Sequence, residues 1–322
     1  MTRSRYAIAA AGAATAALVA SCGLQSASGA VLSAEPGEIQ HYEHLDGEPI
    51  TVVAKDFTEQ LILGNMISTA LSVAGFDVTN MSNTPGSFGA RQASIDGDAQ
   101  VAPEYTGTGW INYLGYEDPV PGEEEQWLAV VEADEPNGLV WLPPAPMNNT
   151  YGFAVRDEYA EEHGLELFSD VLDLPPEELT FCVEAEFVSR NDGFDPFLDA
   201  YDLTQGDLAD IVTMNIGLVY SAVANSECNF GEIFLTDGRI PGLNLTVLED
   251  DREFFPLYNL SMVVGADALE EYPELEEILN SFTPLLTNET MQELNARVDL
   301  DGQDPAIVAR DWLAEEGFVT LD

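Results

Sequence analysis

One position in this chain is chemically conspicuous by its rarity. Lys55 is the only lysine, and nine arginines complete the basic complement against 58 Asp and Glu. It lies in ITVVAKDFTEQLILGNM (residues 50–66), where a β-branched apolar run meets a helix-like pattern. An ammonium there has two uses: a surface ion pair with Asp56 or Glu59, or capture of an anionic group. A chain that has otherwise abandoned lysine favours the second. The motifs of nucleophilic, metal-assisted or phosphate chemistry are missing, since there is no GxSxG, GKS/T, HExxH or CxxC. TGTGW (106–110) lacks the third glycine of a dinucleotide loop, and DLDGQD (299–304) lacks the rest of a calcium loop. With no nucleophile–base pair in view the sequence argues against an enzyme, and no catalytic residue, cofactor or metal is expected.

Around Lys55 the sequence alternates strand and helix patterns. ITVVA reads as a strand, and TEQLILGNMISTALSVAG carries helical spacing that stops at Gly75. FDVTNM, AQVAPEY and GLVWLPP read as strands; SFGARQASIDGD, TGTGWINYLG and residues 126–135 read as helices. A second such stretch follows NNTYGFAVR, with LTFCVEAEF, IVTMNI and GEIFLTDGRI as strands and FDPFLDAYD and LVYSAVAN as helices. The last third is helical. This order predicts an α/β chain built on parallel sheet with helices on its faces.

Composition excludes several classes of partner. A formal charge of −48 excludes nucleic acid, whose phosphates need a basic face, and disfavours anionic lipid surfaces. Spread along the chain, the carboxylates read as a solvated surface adapted to salty surroundings. Residues 1–22 read as a signal peptide with Arg3 and Arg5 before an apolar run. LVASC at its end resembles the lipobox of bacterial lipoproteins, making Cys22 the lipidation site; an ordinary cleaved signal is the alternative. Residues 23–49 read as a flexible tether. The folded part would then sit at the extracytoplasmic face of the cell membrane, as a lipid-anchored monomer. The two remaining cysteines, Cys182 and Cys228, are expected to pair, as leftover cysteines in exported proteins usually do.

AKDFTEQLILGNM, APEYTGTG, NNTYGFAVR, EFVSRNDG, FLTDGRI and LEDDREFFPLY occur in this order. Together they resemble the substrate-binding proteins of osmoprotectant ABC transporters, over about residues 50–321. The resemblance implies a two-lobed type II periplasmic-binding-protein fold with the ligand in the cleft between lobes. Lobe one would comprise 50–148 plus 256–322 and lobe two 149–255. It further implies capture of glycine betaine or a related quaternary amine for delivery to ABC permease subunits. A choline receptor, or a receptor for an amino acid or other small zwitterion, are the alternatives on the same fold.

The residue roles carried by that resemblance follow ligand chemistry. A trimethylammonium group donates no ordinary hydrogen bond and is held by aromatic faces, each contributing about 0.5–2 kcal/mol. Tyr105, Tyr151 and Tyr258 match cage tyrosines, and Phe234 stands where the family usually has tyrosine. A further cage aromatic is expected near residues 126–132, where Trp127 is the one candidate. Lys55 and Arg190 match a carboxylate-binding pair, one from each lobe, although Asp192 is an available partner for Arg190. Thr108 and Gln60 complete the expected polar lining.

Overall fold

The structure is a computed structural model that describes residues 29–321. The expected signal peptide (1–22), Cys22 and the first residues of the expected tether lie outside the described residues. Two five-stranded sheets organise the rest. The first contains β2 (Pro49–Lys55), β3 (Asp77–Thr84), β4 (Val101–Tyr105), β5 (Leu139–Trp141) and β11 (Leu260–Gly265), in the order β3-β2-β4-β11-β5. The second contains β6 (Tyr151–Arg156), β7 (Thr180–Glu184), β8 (Asp210–Met214), β9 (Phe230–Phe234) and β10 (Leu245–Leu248), in the order β10-β6-β9-β7-β8. The chain crosses between the sheets twice, between β5 and β6 and again between β10 and β11.

The expectation of parallel sheet is corrected to mixed sheet. β2 is parallel to β3 and β4, but β11 runs antiparallel to β4 and β5. Likewise β7 is parallel to β8 and β9, while β6 is antiparallel to β9 and β10. The reason is topological. β6 and β11 each follow a crossing and enter their sheet from the side where the parallel strands end, so they run the opposite way.

The helix α1 (Thr58–Ala74) is apolar on nearly all sides because it is enclosed. Ile62, Leu63, Met66, Ile67, Ala70 and Leu71 are fully buried in one core with β2, β11 and the helices Asn288–Asp299 and Pro305–Glu315. The helix α2 (Ser87–Ile95) and the helix α3 (Glu123–Asp134) cover other parts of the first sheet. A phenylalanine-rich core fills one side of the second sheet, with Phe153, Phe168, Phe181, Phe194, Phe197 and Phe230 buried.

Residues 35–49, expected as tether, are instead part of the fold. β1 (Glu35–Pro36) pairs with β12 (Val319–Thr320), and Ile39 and Leu45 are buried in the α1 core. Tyr42 packs against the same core, and backbone hydrogen bonds to Ala74, Gly75, Gly317 and Phe318 hold the segment as well. The cysteine expectation holds: Cys182 in β7 and Cys228 just before β9 form a disulfide with Cα atoms 5.8 Å apart. Two local readings also change. LTFCVEAEF ends its strand at Glu184 and turns helical over Ala185–Ser189. TGTGWINYLG forms a single widened π-helical turn, Thr108–Tyr113.

Candidate functional site

Ends of strands converge on a cavity of about 590 Å³, open mouth included. Lys55 ends β2, Tyr105 ends β4, Glu184 ends β7 and Phe234 ends β9. Tyr151 begins the oppositely directed β6 and lies in register with Phe234. Side chains at the carboxyl ends of parallel strands are free to leave the sheet, which is why open α/β sheets place their crevices there. Thr108, from the widened turn, and Tyr258, from the second crossing, close the wall.

Both cations of the site are buried and paired. In the β2–β4 register Val52 stands opposite Val101, which carries Lys55 to Glu104 three residues later. Lys55 Nζ lies 2.7 Å from Glu104 Oε2, with both side chains 4% exposed. Its partner is therefore neither Asp56 nor Glu59. Arg190 follows the Ala185–Ser189 turn and binds Asp192 through Nε at 2.7 Å and Nη2 at 2.8 Å. Asp192 also accepts from Tyr258 Oη at 2.6 Å and from Asn112 Nδ2 at 2.9 Å. Burial alone would push the Asp192 carboxyl up, but Arg190 and these donors hold it below the ordinary range. The tight turn that presents Arg190 and Asp192 requires Gly193, since a Cβ there would lie 1.8 Å from the Phe187 carbonyl oxygen.

The aromatic rings form a continuous arc. Tyr105 stacks on Phe57 at 6.4 Å between centroids, Phe57 meets Phe234 at 5.4 Å, Phe234 meets Tyr151 at 5.2 Å, and Tyr151 meets Tyr258 edge-on at 5.3 Å. Lys55 Nζ sits 5.1 Å from the Tyr105 centroid, and the Arg190 guanidinium sits 5.1 Å from that of Tyr151. Burial raises the phenol pKa of Tyr105, Tyr151 and Tyr258 well above the usual value, so all three rings stay neutral. Gly107 is needed for the arc as well, because a Cβ there would fall 2.7 Å from the Tyr258 ring.

Of the residues expected from sequence, Lys55, Tyr105, Thr108, Tyr151, Arg190, Phe234 and Tyr258 all line this cavity. Gln60 does not. Its amide is spent inside the first sheet, accepting from Lys55 N–H at 3.2 Å and donating to the Pro103 carbonyl at 3.1 Å. It fixes the strand end that carries Lys55. Trp127 is also elsewhere, packed in the cluster of Val130, Leu139 and Trp141, with its indole donating to the Trp141 carbonyl at 3.3 Å. Phe57 is the lining aromatic that the sequence reading missed. Its only signal was an aromatic between the lone lysine and the first turn of α1.

Residues 48–315 match the substrate-binding domain of ABC-type glycine betaine transport systems. The chain belongs to this family. A glycine-betaine-binding protein of Pseudomonas aeruginosa is 36% identical over 278 residues, covering 83% of this chain and 88% of that protein. A carnitine transport binding protein of Listeria monocytogenes is 32% identical over 275 residues, covering 84% of this chain and 88% of its own. The crystal structure of a glycine betaine/carnitine/choline ABC transporter chain has a TM-score of 0.70 and 28% identity, covering 84% of this chain and 99% of that one. The fold is thus a two-lobed type II binding-protein fold, and the family consists of transport components rather than enzymes. No helix among the described residues is long and apolar enough to cross a membrane.

Carboxylates surround the two cations of the site. Asp56, Glu184 and Glu186 line the cavity beside the two cations, and Glu104 and Asp192 already neutralise those cations from behind. Burial, then the charges of Glu186 and Asp56, push the Glu184 carboxyl up to about 7. Behind it, the buried Glu232 accepts the Glu184 N–H at 2.7 Å, and burial raises Glu232 well above the carboxylate range. Ser87, at the start of α2, reaches across to Glu186, so the two sheets' domains touch over the cavity.

Proposed function

We propose that this protein captures glycine betaine or a related quaternary-ammonium compatible solute in the cavity and delivers it to ABC permease subunits. The observation that carries this reading is the arc of Tyr105, Phe57, Phe234, Tyr151 and Tyr258 around a negatively biased cavity. Electron-rich faces and a surplus of carboxylates suit a cation that cannot form hydrogen bonds. Lys55 has one of its three N–H donors committed to Glu104, leaving donors for a ligand carboxylate. The relatives named for glycine betaine and carnitine support the same ligand class. Lobe one would comprise 50–148 with 256–322 and lobe two 149–255, hinging at the two crossings. Anchored through Cys22 at the extracytoplasmic face, the protein would work as a monomer.

Calorimetric titration with glycine betaine, choline, proline betaine and ectoine tests the reading. Glycine betaine is expected to bind more tightly than choline, which has no carboxylate for Lys55 and Arg190. Absence of heat with every quaternary amine would overturn it. A second test uses pH. A cation entering beside Glu184 lowers the pKa of that carboxyl from about 7, so binding releases a proton. Affinity should therefore rise about tenfold from pH 6 to pH 8. Glu184→Gln should flatten the profile, and an affinity falling across that range would place the ligand carboxylate, not the ammonium, beside Glu184.

A further inference from the structure

The first turn of α1 holds a buried carboxylate outside the cavity wall. Glu59, 2% exposed, gathers donors on both oxygens: Tyr105 Oη at 2.6 Å and Asn149 Nδ2 at 2.8 Å on one, Asn295 Nδ2 at 3.2 Å on the other. Asn295 Nδ2 also donates to the Thr236 carbonyl at 2.9 Å, which fixes that amide with its nitrogen toward Glu59. Burial raises the Glu59 pKa against the pull of these donors. Neighbours that all donate, at the positive end of a helix, are the surroundings of an ionised carboxylate.

Glu59 differs from the other two carboxylates that tyrosines around the cavity address. Glu104 accepts from Tyr113 Oη at 2.8 Å and is compensated by Lys55; Asp192 accepts from Tyr258 Oη and is compensated by Arg190. Among the described residues no lysine or arginine forms an ion pair with Glu59. The nearby Arg239 donates to Asp237 through Nε and Nη2 and lies 3.5 Å from Asp299. The uncompensated charge of Glu59 therefore acts on its donors, and of these Tyr105 brings an aromatic ring to the cavity. An O–H···O⁻ bond of 2.6 Å is charge-assisted. It draws the phenol toward phenolate character and so enriches the π face of the ring. The Lys55 ammonium, 5.1 Å from the same ring's centroid, acts in the opposite direction. Without Glu59 a ligand cation would meet a depleted ring.

We propose that Glu59 is a positioning residue for the ligand's quaternary ammonium that acts through Tyr105, its charge being relayed by the phenol hydrogen bond to the ring that faces the cation. The proposal rests on the quaternary-ammonium reading of the cavity. A Glu59 that only clamped Asn149 and Asn295 would serve every ligand alike. Charge relayed through Tyr105 strengthens the hold on a cation and does nothing for an uncharged group of the same shape.

Titration at pH 8, above the range of Glu184, with glycine betaine, choline and 3,3-dimethylbutanoate separates the two roles. In the last of these a carbon replaces the betaine nitrogen, and its affinity is read by displacement of bound glycine betaine. Glu59→Gln is expected to weaken glycine betaine and choline about fivefold each and to change the carbon isostere by less than about twofold. In a Tyr105→Phe background, which lacks the hydroxyl, the same substitution should cost less than about twofold for any ligand. Equal losses for the cations and the isostere would overturn the proposal, and so would a fivefold loss that persists beside Tyr105→Phe. If the isostere displaces nothing, the Tyr105→Phe comparison decides by itself. Unchanged betaine and choline affinities in Glu59→Gln would sink this inference and leave the reading of the cavity standing. If no quaternary amine binds the unaltered protein, both fall together.

Discussion

Arg190→Ala should weaken glycine betaine binding by at least about two orders of magnitude, and weaken choline binding by much less. Arg190 is 6% exposed and holds Asp192 through two parallel hydrogen bonds, an arrangement that a lysine cannot reproduce. Removing one partner of a buried ion pair costs about 3–5 kcal/mol, because the other charge is left without compensation. Here the stranded charge would be Asp192, whose low pKa depends on Arg190 against the opposing effect of burial. Asp192 would be driven towards its protonated form. It would then no longer hold Tyr258 and Asn112 as an ionised acceptor, and the guanidinium over the Tyr151 face would be gone.

The stability and ligand effects can be separated. Arg190→Ala with Asp192→Ala removes the stranded charge and should recover much of the melting temperature without recovering betaine affinity. Arg190→Lys should remain impaired for betaine. Thermal melts and calorimetry on the three variants decide the matter. Equal losses of betaine and choline affinity in Arg190→Ala would refute a carboxylate-directed role and leave Arg190 as a scaffold for Asp192 and Tyr258.

This pair shows what the sequence could and could not disclose. Arg190 and Asp192 are two residues apart, so their pairing was available from spacing alone. Lys55 drew attention through composition, yet its partner Glu104 lies 49 residues away and is set by the β2–β4 register. Asp56 and Glu59 were nearer in sequence and wrong in space, since side-chain direction at the strand end decides the contact. Gln60 illustrates the reverse error. A residue beside the site was read as facing it, but the first turn of α1 points its amide back at the strand backbone. Strand and helix positions were largely legible from hydrophobic period. Strand direction was not, because it depends on where the chain re-enters a sheet after each crossing. The hydrogen bonds of Asn149 and Asn295 to Glu59 were invisible for a similar reason: the three residues come from distant segments and meet only in the folded chain.

The disulfide should carry the largest share of stability that any single covalent change can remove. Cys182 and Cys228 close a separation of 46 residues and are both buried beside the β7–β9 contact. On the chain-entropy account, opening such a loop costs about 4 kcal/mol. Cys182→Ala with Cys228→Ala avoids burying hydroxyls in an apolar cluster, so the measured loss reports the cross-link and a small cavity. A fall in melting temperature of roughly six to seven degrees is expected for a chain of this size. The loss should be felt at the site, because the same sheet presents Tyr151, Glu184 and Phe234. Ligand at 100 times its dissociation constant restores about 2.7 kcal/mol, less than the cross-link supplies. Glycine betaine at 100 times its dissociation constant should therefore raise the variant's melting temperature substantially but leave it below that of the ligand-free, disulfide-bonded protein. A variant melting within about two degrees of the parent would show that the core around Val183 and Phe230 holds the second sheet without help from the bond.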